Sequence, residues 1–519
     1  MCVELCVVHT SKGELPLYTK KPFFYSLKKG LAGSVLALAV LAAPVQNAWA
    51  EASEKNNSAL LEIYNTLIDA HYEKPSEEEL LQGAIQGMLD VIHDPYTNYM
   101  SPSAYEDFKN GINLEYAGIG VRFTYAEDES GLIVDEVFTG SPAEESGILN
   151  GDIVVQVDQT PVTPDNIRTI TSQIRGEAGT EVTLLLVREG EQLQKKVARK
   201  AIELPEVTTE DMGNGIAYIQ IVTFGERTTE EFLAAYHQAE AANAKGLILD
   251  LRGNSGGYVL SALEIADHFL KKGELLVLHN SEGGEDVYVA DELGTDIPLV
   301  VLIDRNTASA SEMLAGALKT NGRATLVGET SFGKGTMQTA FELSNGGTLK
   351  VSVDNWLLPD RSNIHDIGLL PDIYLQRSEA VVNAAVQQLL PDRKQTLELS
   401  LKEQTGVLNE NIFLTGVPAI HKDSQSGEYY VPMRYVMESF GTEVVWNNET
   451  KRTSFIYRGQ QVEIDSKSWN LIVNGKSVPL NQPLKSIAGT IYMSTDAVKS
   501  VTGGSVSVSA DALLLNSRP

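Results

Sequence analysis

The chain has 519 residues, of which 43% are hydrophobic and 21% are charged, and its formal net charge is −28. This length is several times that of one domain, so we expect three or more folded units, and the composition excludes a mainly disordered chain. The negative charge argues against a nucleic-acid partner, because binding to phosphates needs clustered positive charge.

The first fifty residues have the pattern of an export signal. Lysines at positions 20, 21, 28 and 29 precede the uncharged apolar stretch 31–45, and Ala48-Trp49-Ala50 forms a small-residue cleavage site. The apolar stretch is shorter than the roughly 20 residues that a membrane helix needs. We predict a signal peptide over 1–50 and export across the cytoplasmic membrane to the cell envelope or the medium. An uncleaved N-terminal membrane anchor is the alternative.

Both cysteines, Cys2 and Cys6, precede the apolar stretch. A chain cleaved after Ala50 therefore contains no cysteine. This excludes disulfides, a cysteine nucleophile and thiolate metal sites from the mature protein.

The next two regions differ in their periodicity. Residues 51–112 have apolar residues at helical spacing, with a helix predicted over 77–92. Residues 113–200 form a β-rich module, with a short helix expected to begin at Ser141-Pro142. Its predicted strands are 121–124, 132–137, 153–157 and 182–187.

Residues 201–378 alternate strands and helices, which predicts an α/β core. The predicted strands are 217–222, 246–251, 299–304 and 324–328, and the predicted helices are 229–242, 258–269 and 309–320. We interpret 379–424 as a linker.

Residues 425–519 are predicted to form an α+β domain. A weak internal repeat runs through it, since Tyr430, Val436 and Gly441 recur as Tyr492, Val498 and Gly503.

A glycine-containing loop, Gly118-Ile119-Gly120, leads into the first strand of the β-rich module. Such a loop can direct backbone N–H groups at a terminal carboxylate, while an ordinary glycine turn is the alternative. Together with Ser141-Pro142-Ala143 and residues 146–154, it resembles a PDZ domain of the bacterial protease type. The resemblance implies that Gly118, Ile119 and Gly120 line the carboxylate loop. Arg175 is a candidate substrate sensor, or else a solvated surface arginine.

Ser309 follows a predicted buried strand and begins a helix. Free N–H groups and the positive helix end can stabilise an oxyanion beside such a serine. The hydroxyl needs a base, and none of the eight histidines lies in a recognisable triad motif.

Lys334 is the alternative base, flanked by Gly333 and Gly335, which allow tight, dry packing around the amine. Burial would have to lower the lysine pKa by about 3 units from about 10.4, at a cost of about 4 kcal/mol. A solvated lysine in a glycine turn is the other interpretation.

Four segments carry a second resemblance: residues 250–257 (Asp-Leu-Arg-Gly-Asn-Ser-Gly-Gly), 309–312 (Ser-Ala-Ser-Glu), 333–336 (Gly-Lys-Gly-Thr) and Gln338. In this order and spacing they resemble the carboxyl-terminal processing peptidases, the tail-specific Ser/Lys proteases. The resemblance covers about residues 55–376. It implies a multidomain α/β protein with a ClpP/crotonase-like protease core, an inserted PDZ domain and an N-terminal helical segment.

The same resemblance implies the roles of the site residues and no metal or other cofactor. Ser309 is the nucleophile, Lys334 the general base and Gln338 the residue that orients it, while the oxyanion hole comes from the N–H of Ala310 and of Gly256 or Gly257.

Two assignments stay open, and two others are excluded. Ser311 is a competing nucleophile in the same motif, and Asp250 with Arg252 is alternatively a structural ion pair. Thr320 occupies the position where some family members have a third, acidic residue. Residues 328–334 nearly match a phosphate-binding loop, but Gly335 replaces the serine or threonine that binds Mg²⁺, which excludes nucleotide binding.

Residues 425–519 resemble the small repeats at the N-terminus of copper amine oxidases, through 430–434, 445–446 and 473–475. This stretch contains no His or Cys cluster, so copper binding is not expected. Cell-wall contact through this domain and a homodimer through the N-terminal helices are hypotheses.

We therefore predict an exported serine endopeptidase that holds the C-terminal tails of protein substrates in its PDZ domain and cleaves peptide bonds through an acyl-enzyme. The alternative is a non-catalytic exported peptide-binding scaffold.

Overall fold

A computed structural model describes residues 6–8, 43–126, 131–213, 215–280, 282–291 and 294–518. The chain divides into two units, a small one of residues 10–102 and 338–352 and a large one of the remaining residues. Most of the predicted signal peptide lies outside the described residues. Ala50, the predicted cleavage position, lies within the helix Ala43–Ala70.

The small unit contains the helices Ala43–Ala70 and Glu77–Ile92 and the strand Asn98–Met100, which pairs with residues 348–350. Ser76 begins the second helix: its hydroxyl accepts the N–H of Glu79, whose carboxylate accepts the N–H of Ser76. His93 ends it in the left-handed conformation. The predicted helix 77–92 is therefore confirmed.

A mostly parallel six-stranded sheet forms the α/β core. Its buried strands are rich in Val, Ile and Leu, as expected for a parallel sheet covered on both faces. In spatial order the strands are Val207–Asp211, Ile216–Ile221, Gly246–Asp250, Leu299–Ile303, Thr325–Gly328 and Ile373–Tyr374, and only the first is antiparallel to its neighbour. The four strands predicted here are confirmed to within two residues.

Helices cover both faces of this sheet. Thr228–Ala241, Val259–Phe269 and Ala310–Thr320 pack into one core, and Ser378–Leu389 packs against the opposite face through Ala380, Val381 and Ala384. Further strands are Gly257–Tyr258, Glu274–Asn280, Glu285–Val289, Thr336–Glu342 and Thr348–Leu357. The short strand Cys6–Val8 pairs in parallel with Gly257–Tyr258.

The β-rich module forms an antiparallel sheet with a short helix at Pro142–Glu145 and another at Ile167–Ile174. Its path is Val121–Tyr125, Leu132–Val137, Ile153–Val157, Glu181–Arg188 and Glu191–Ala198, with Thr160–Pro161 beside the third strand. The strands Glu115–Gly118 and Lys200–Glu203 pair with each other where the chain enters and leaves the module. This pairing brings the two ends of the module together.

The region predicted to be a linker, 379–424, is instead structured. It contains most of the helix Ser378–Leu389 and the strands Thr396–Ser400, Thr405–Leu408, Ile412–Thr415 and His421–Lys422. The linker prediction was wrong because the helix buries an alanine and valine face, while Leu397, Leu399 and Leu408 belong to the C-terminal core.

The C-terminal domain has three antiparallel sheets. Two of its strands, Tyr429–Pro432 and Thr490–Ser494, pair with each other, and each leads directly into a helix, Met433–Ser439 or Thr495–Thr502. Its other strands are Val445–Asn447, Arg452–Tyr457, Gln460–Asp465, Asn470–Val473, Lys476–Val478, Lys485–Ile487, Ser505–Val508 and Ala512–Asn516. Among the described residues, no helix combines the length and the apolar character of a membrane span.

Candidate active site

Ser309 lies between a core strand and a buried helix. The strand Leu299–Ile303 precedes it in the chain, and the helix Ala310–Thr320 begins at the residue after it. Its side chain is fully buried, and its backbone has φ 61° and ψ −120°. A non-glycine residue rarely adopts a positive φ, and surrounding contacts must hold it there.

The turn before Ser309 is held by Asp304. Its carboxylate accepts the N–H groups of Asn306 and Thr307, each at 3.0 Å, and that of Gly253 at 3.0 Å. Because Gly253 follows the neighbouring strand Gly246–Asp250, Asp304 connects the loops at the carboxyl ends of two adjacent parallel strands. This edge is where α/β sheets commonly carry their sites.

Asn254 makes a second connection between these loops. Its backbone carbonyl accepts the N–H of Ala308 and the hydroxyl of Ser311, both at 3.0 Å. The Ser311 hydroxyl thus has a structural partner in the glycine-rich loop.

The two glycines predicted for an oxyanion hole differ in their contacts. The N–H of Gly256 donates to Asn254 Oδ1 at 2.9 Å, while Gly257 has φ 139° and a methyl group added to it would meet the carbonyl oxygen of Phe224 at 2.2 Å. Gly257 is therefore a position that only glycine fits.

Lys334 is also buried, with 1% of its surface exposed. Its carbonyl accepts the indole N–H of Trp356 at 2.9 Å. A methyl group on Gly333 would meet the N of Gly368 at 2.7 Å, and one on Gly335 would meet His365 Cβ at 2.7 Å. The flanking glycines thus allow the close packing that the sequence suggested.

Glu312 links the serine and lysine segments. One oxygen, Oε2, accepts the backbone N–H of Ser309 at 2.7 Å and that of Lys334 at 2.9 Å. The other oxygen accepts the N–H of Gly333 at 2.7 Å and the hydroxyl of Ser331 at 2.5 Å. Burial raises the pKa of Glu312, whereas these four hydrogen bonds act to lower it.

Gln338, Ala310 and Thr320 have contacts of their own. Gln338 is buried and its amide Nε2 donates to Ser352 Oγ at 3.0 Å within the small unit. Ala310 is the first, fully buried residue of the serine helix. Thr320 lies at the far end of that helix, where its hydroxyl donates to the Gly316 carbonyl at 2.7 Å.

Asp250 and Arg252 form a buried ion pair. The arginine donates to both carboxylate oxygens at 2.6–3.0 Å, and Tyr218 donates its hydroxyl to the same carboxylate. Burial and the Asp250 charge raise the pKa of Tyr218, which keeps the phenol protonated. The pair fixes the start of the glycine-rich loop, in agreement with the structural alternative.

The PDZ-like module contains a groove of about 400 Å³ between the edge strand Val121–Tyr125 and the helix Ile167–Ile174. Gly118, Ile119 and Gly120 line one end, and Arg175 lies at the helix terminus with its guanidinium 5.5 Å from the ring centroid of Tyr116. The groove brings all four predicted peptide-binding residues together. The exposed position of Arg175 is compatible with a sensor and with a surface arginine.

Three residues that hold the site together received no role from the sequence. Asn254 and Glu312 lie within the family motifs, and Asp304 ends a predicted strand. Asn and Asp side chains at a turn often accept backbone N–H groups two or three residues further along the chain. This local signal could have identified Asn254 and Asp304. The sequence carries no signal that Glu312 reaches a segment more than twenty residues away.

Comparisons with known proteins agree with this organisation. Residues 215–375 match the model of peptidase family S41, residues 117–198 match a PDZ domain, and residues 35–104 match the N-terminal domain of the activating protease CtpB. Residues 407–513 match the copper amine oxidase N-terminal domain, a match that begins inside the predicted linker.

Two carboxy-terminal processing proteases of Bacillus subtilis are similar to the chain. CtpB is 33% identical over 342 residues, which cover 64% of this chain and 71% of the relative, and CtpA is 34% identical over 358 residues, which cover 68% and 76%. A carboxyl-terminal-processing protease of Synechocystis is 33% identical over 330 residues, 61% and 77% of the two chains. The chain belongs to the carboxy-terminal processing serine proteases of peptidase family S41.

Proposed function

We propose that this protein is an exported endopeptidase that cleaves protein substrates with a Ser309–Lys334 dyad. The observation that carries the proposal is the shared acceptor Glu312 Oε2, which holds the backbones of Ser309 and Lys334 side by side in a buried site. A buried lysine beside a serine is a suitable base, since burial disfavours the ammonium form.

In the proposed reaction, neutral Lys334 Nζ accepts the proton of Ser309 Oγ while this oxygen attacks the substrate carbonyl. Lys334 then gives the proton to the leaving amine, and an acyl-enzyme ester remains on Ser309. A water molecule, deprotonated by the same amine, hydrolyses the ester. Gln338 orients the amine without adding charge.

The negative oxygen of each tetrahedral intermediate accepts hydrogen bonds from the N–H groups of Ala310 and Gly257. The position of Ala310 at the start of a buried helix supports this role, because free N–H groups and the helix dipole favour an anion there. Gly256 is omitted because its N–H donates to Asn254 Oδ1.

The PDZ groove takes the C-terminal tail of the substrate, which adds as a strand to the edge strand Val121–Tyr125. The terminal carboxylate meets the loop 118–120, and apolar lining residues such as Leu132 and Ile174 receive the last side chain. Arg175 senses the bound tail, and its place in the lining of the groove supports this assignment.

Two assembly proposals rest on surfaces outside the site. The N-terminal helices expose Leu61, Ile63, Met88 and Val91, each more than half exposed, which supports a homodimer through this unit. Analytical ultracentrifugation should therefore give a dimer, and a Val91→Asp exchange should shift it to the monomer.

The C-terminal domain has a cleft of about 540 Å³ with Trp446 and Trp469 on its walls. Indole faces beside hydroxyl groups suit the glycan of a cell wall, which supports wall contact by this domain. Trp446→Ala should reduce cosedimentation with purified cell walls, while Phe413→Ala, which removes an exposed aromatic outside the cleft, should not.

The test of the catalytic proposal is degradation of an unstructured protein with an apolar tail, followed for the parent chain and for Ser309→Ala. The parent should cleave it and the variant should not. Equal cleavage would refute the dyad, and absence of cleavage by the parent would favour the scaffold alternative.

A further inference from the structure

The carboxylate of Glu312 is fully buried, yet it is in contact with two segments that are distant in sequence. It accepts four hydrogen bonds of 2.5–2.9 Å, two on each oxygen, from Ser309, Ser331, Gly333 and Lys334. A carboxylate that only caps a helix needs just the bond from the Ser309 N–H. The other three lie beyond the helix, in the segment that carries the candidate base.

The four partners define the form of the carboxyl group. Three are backbone N–H groups, which can only donate. The fourth, the Ser331 hydroxyl, accepts the N–H of Leu369 at 2.6 Å and directs its own proton to Glu312. An ionised carboxylate accepts all four bonds, whereas a protonated one would lose at least one of them, so the hydrogen bonds compensate for the burial of the charge.

We propose that Glu312 is a positioning residue for the reaction: it fixes the backbones of Ser309 and Lys334 to one oxygen atom and thereby sets the distance between nucleophile and base. The inference rests on the proposed function, because it needs Ser309 and Lys334 as the reacting pair. It also accounts for the positive φ of Ser309, since the N–H of this residue is held by the carboxylate.

The test compares Glu312→Gln with Ser331→Ala in the full chain. The amide keeps the volume of the glutamate but has a single acceptor oxygen, so at least one of the two N–H pairs loses its partner. Ser331→Ala is the matched control, because it removes one donor to Oε1 and leaves the bonds of Oε2 to Ser309 and Lys334 in place.

For Glu312→Gln we expect kcat to fall about 10²-fold, as for a small misplacement of reacting groups. The KM for a tail-bearing substrate and the Kd for a tail peptide should stay within about two-fold, because the PDZ groove is untouched. Ser331→Ala should lose less than about ten-fold in kcat, since only a single hydrogen bond is removed.

A Glu312→Gln variant with a kcat within about three-fold of the parent overturns the inference. An equal loss of kcat in Glu312→Gln and Ser331→Ala, in proportion to their loss of thermal stability, also overturns it.

If Glu312→Gln does not fold, Glu312→Asp replaces it as the test variant. This variant keeps the charge but is one methylene shorter, so it cannot reach both segments. Its kcat should fall with KM retained, and a parental kcat overturns the inference. Failure of the proposed function is distinguishable, since the parent itself would then be inactive or equal to Ser309→Ala.

Discussion

Ser309 and Lys334 are 0% and 1% exposed, whereas the PDZ groove is open to solvent and ends at the exposed Arg175. Around the candidate catalytic pair, Glu312, Asp304 and Asn254 hold the backbone through hydrogen bonds of 2.7–3.0 Å. The groove is lined mainly by apolar side chains that also belong to the core of its module. A reaction centre needs fixed distances, while a tail-binding groove needs shape and area. Substitutions should therefore affect kcat in the first region and KM in the second.

The largest effect is expected for Lys334→Met, which fills the buried volume but removes the proposed base. Turnover should fall by about 10³-fold or more, as for loss of a general base. Steady-state kinetics on a tail-bearing substrate measures it. The matched control is Lys271→Met, which removes an exposed lysine paired with Asp296 and should leave kcat unchanged. Similar activity of the two variants would contradict the assignment of the base.

Gly257→Ala should produce the next largest effect. The added methyl group would meet the Phe224 carbonyl at 2.2 Å and force the proposed oxyanion loop to move. We expect a fall in kcat of about 10²-fold, the usual consequence of losing one oxyanion donor.

Gly253→Ala separates this clash from backbone strain. Gly253 also has a positive φ, 75°, but no atom lies within 4 Å of the added methyl group. This variant should lose less than about ten-fold in kcat, the cost of conformational strain alone. An equal loss of kcat in Gly257→Ala and Gly253→Ala would contradict the proposed role of the loop at Gly257.

Gly120→Ala probes the groove. A methyl group there would meet Ser141 Cβ at 2.3 Å at a φ of 80°, which displaces the carboxylate loop. We expect the KM for a tail-bearing substrate to rise about ten-fold, with kcat on a short tail-free peptide unchanged, because only binding is affected. Gly140→Ala, at a φ of 74° with open space around it, is the control. A loss of kcat without a change in KM would break the division between the two regions.

The smallest effect concerns the stability of the PDZ module at low pH. Burial tends to raise the pKa of Asp152, but hydrogen bonds from Arg188 and Leu149 outweigh it and hold this pKa below its usual value. Because the pKa is lower in the folded state, the stabilisation is complete above the unfolded value of about 3.9 and is lost as the pH falls through the folded value.

Asp152→Asn should therefore lower the thermal midpoint by roughly 2–4 °C at pH 7, and the difference from the parent should shrink below about pH 4. Circular dichroism melts at both pH values measure it. Glu136→Gln, which breaks the exposed pair with Arg122, should change the midpoint by less than about 1 °C. A difference that persists unchanged at low pH would argue against the ion pair as the cause.

The sequence by itself determined the elements that depend on local patterns. The buried run Leu299–Ile303 and the helical spacing over 77–92 predicted a strand and a helix within a few residues, because hydrophobic periodicity is a local property. The motif around Ser309 and Lys334 also indicated the family without any structure. The alanine-rich helix Ser378–Leu389 was missed; its alanine and valine face is buried because the core sheet lies against it.

The tertiary structure alone decided which groups share a partner. In the fold, Glu312 accepts hydrogen bonds from both Ser309 and Lys334. Asn254 accepts the N–H of Gly256 and the hydroxyl of Ser311. These contacts connect loops that follow different strands of one parallel sheet, and strand order is set by packing of the whole core. Hydrogen bonds between residues distant along the chain therefore have no counterpart in the local sequence pattern.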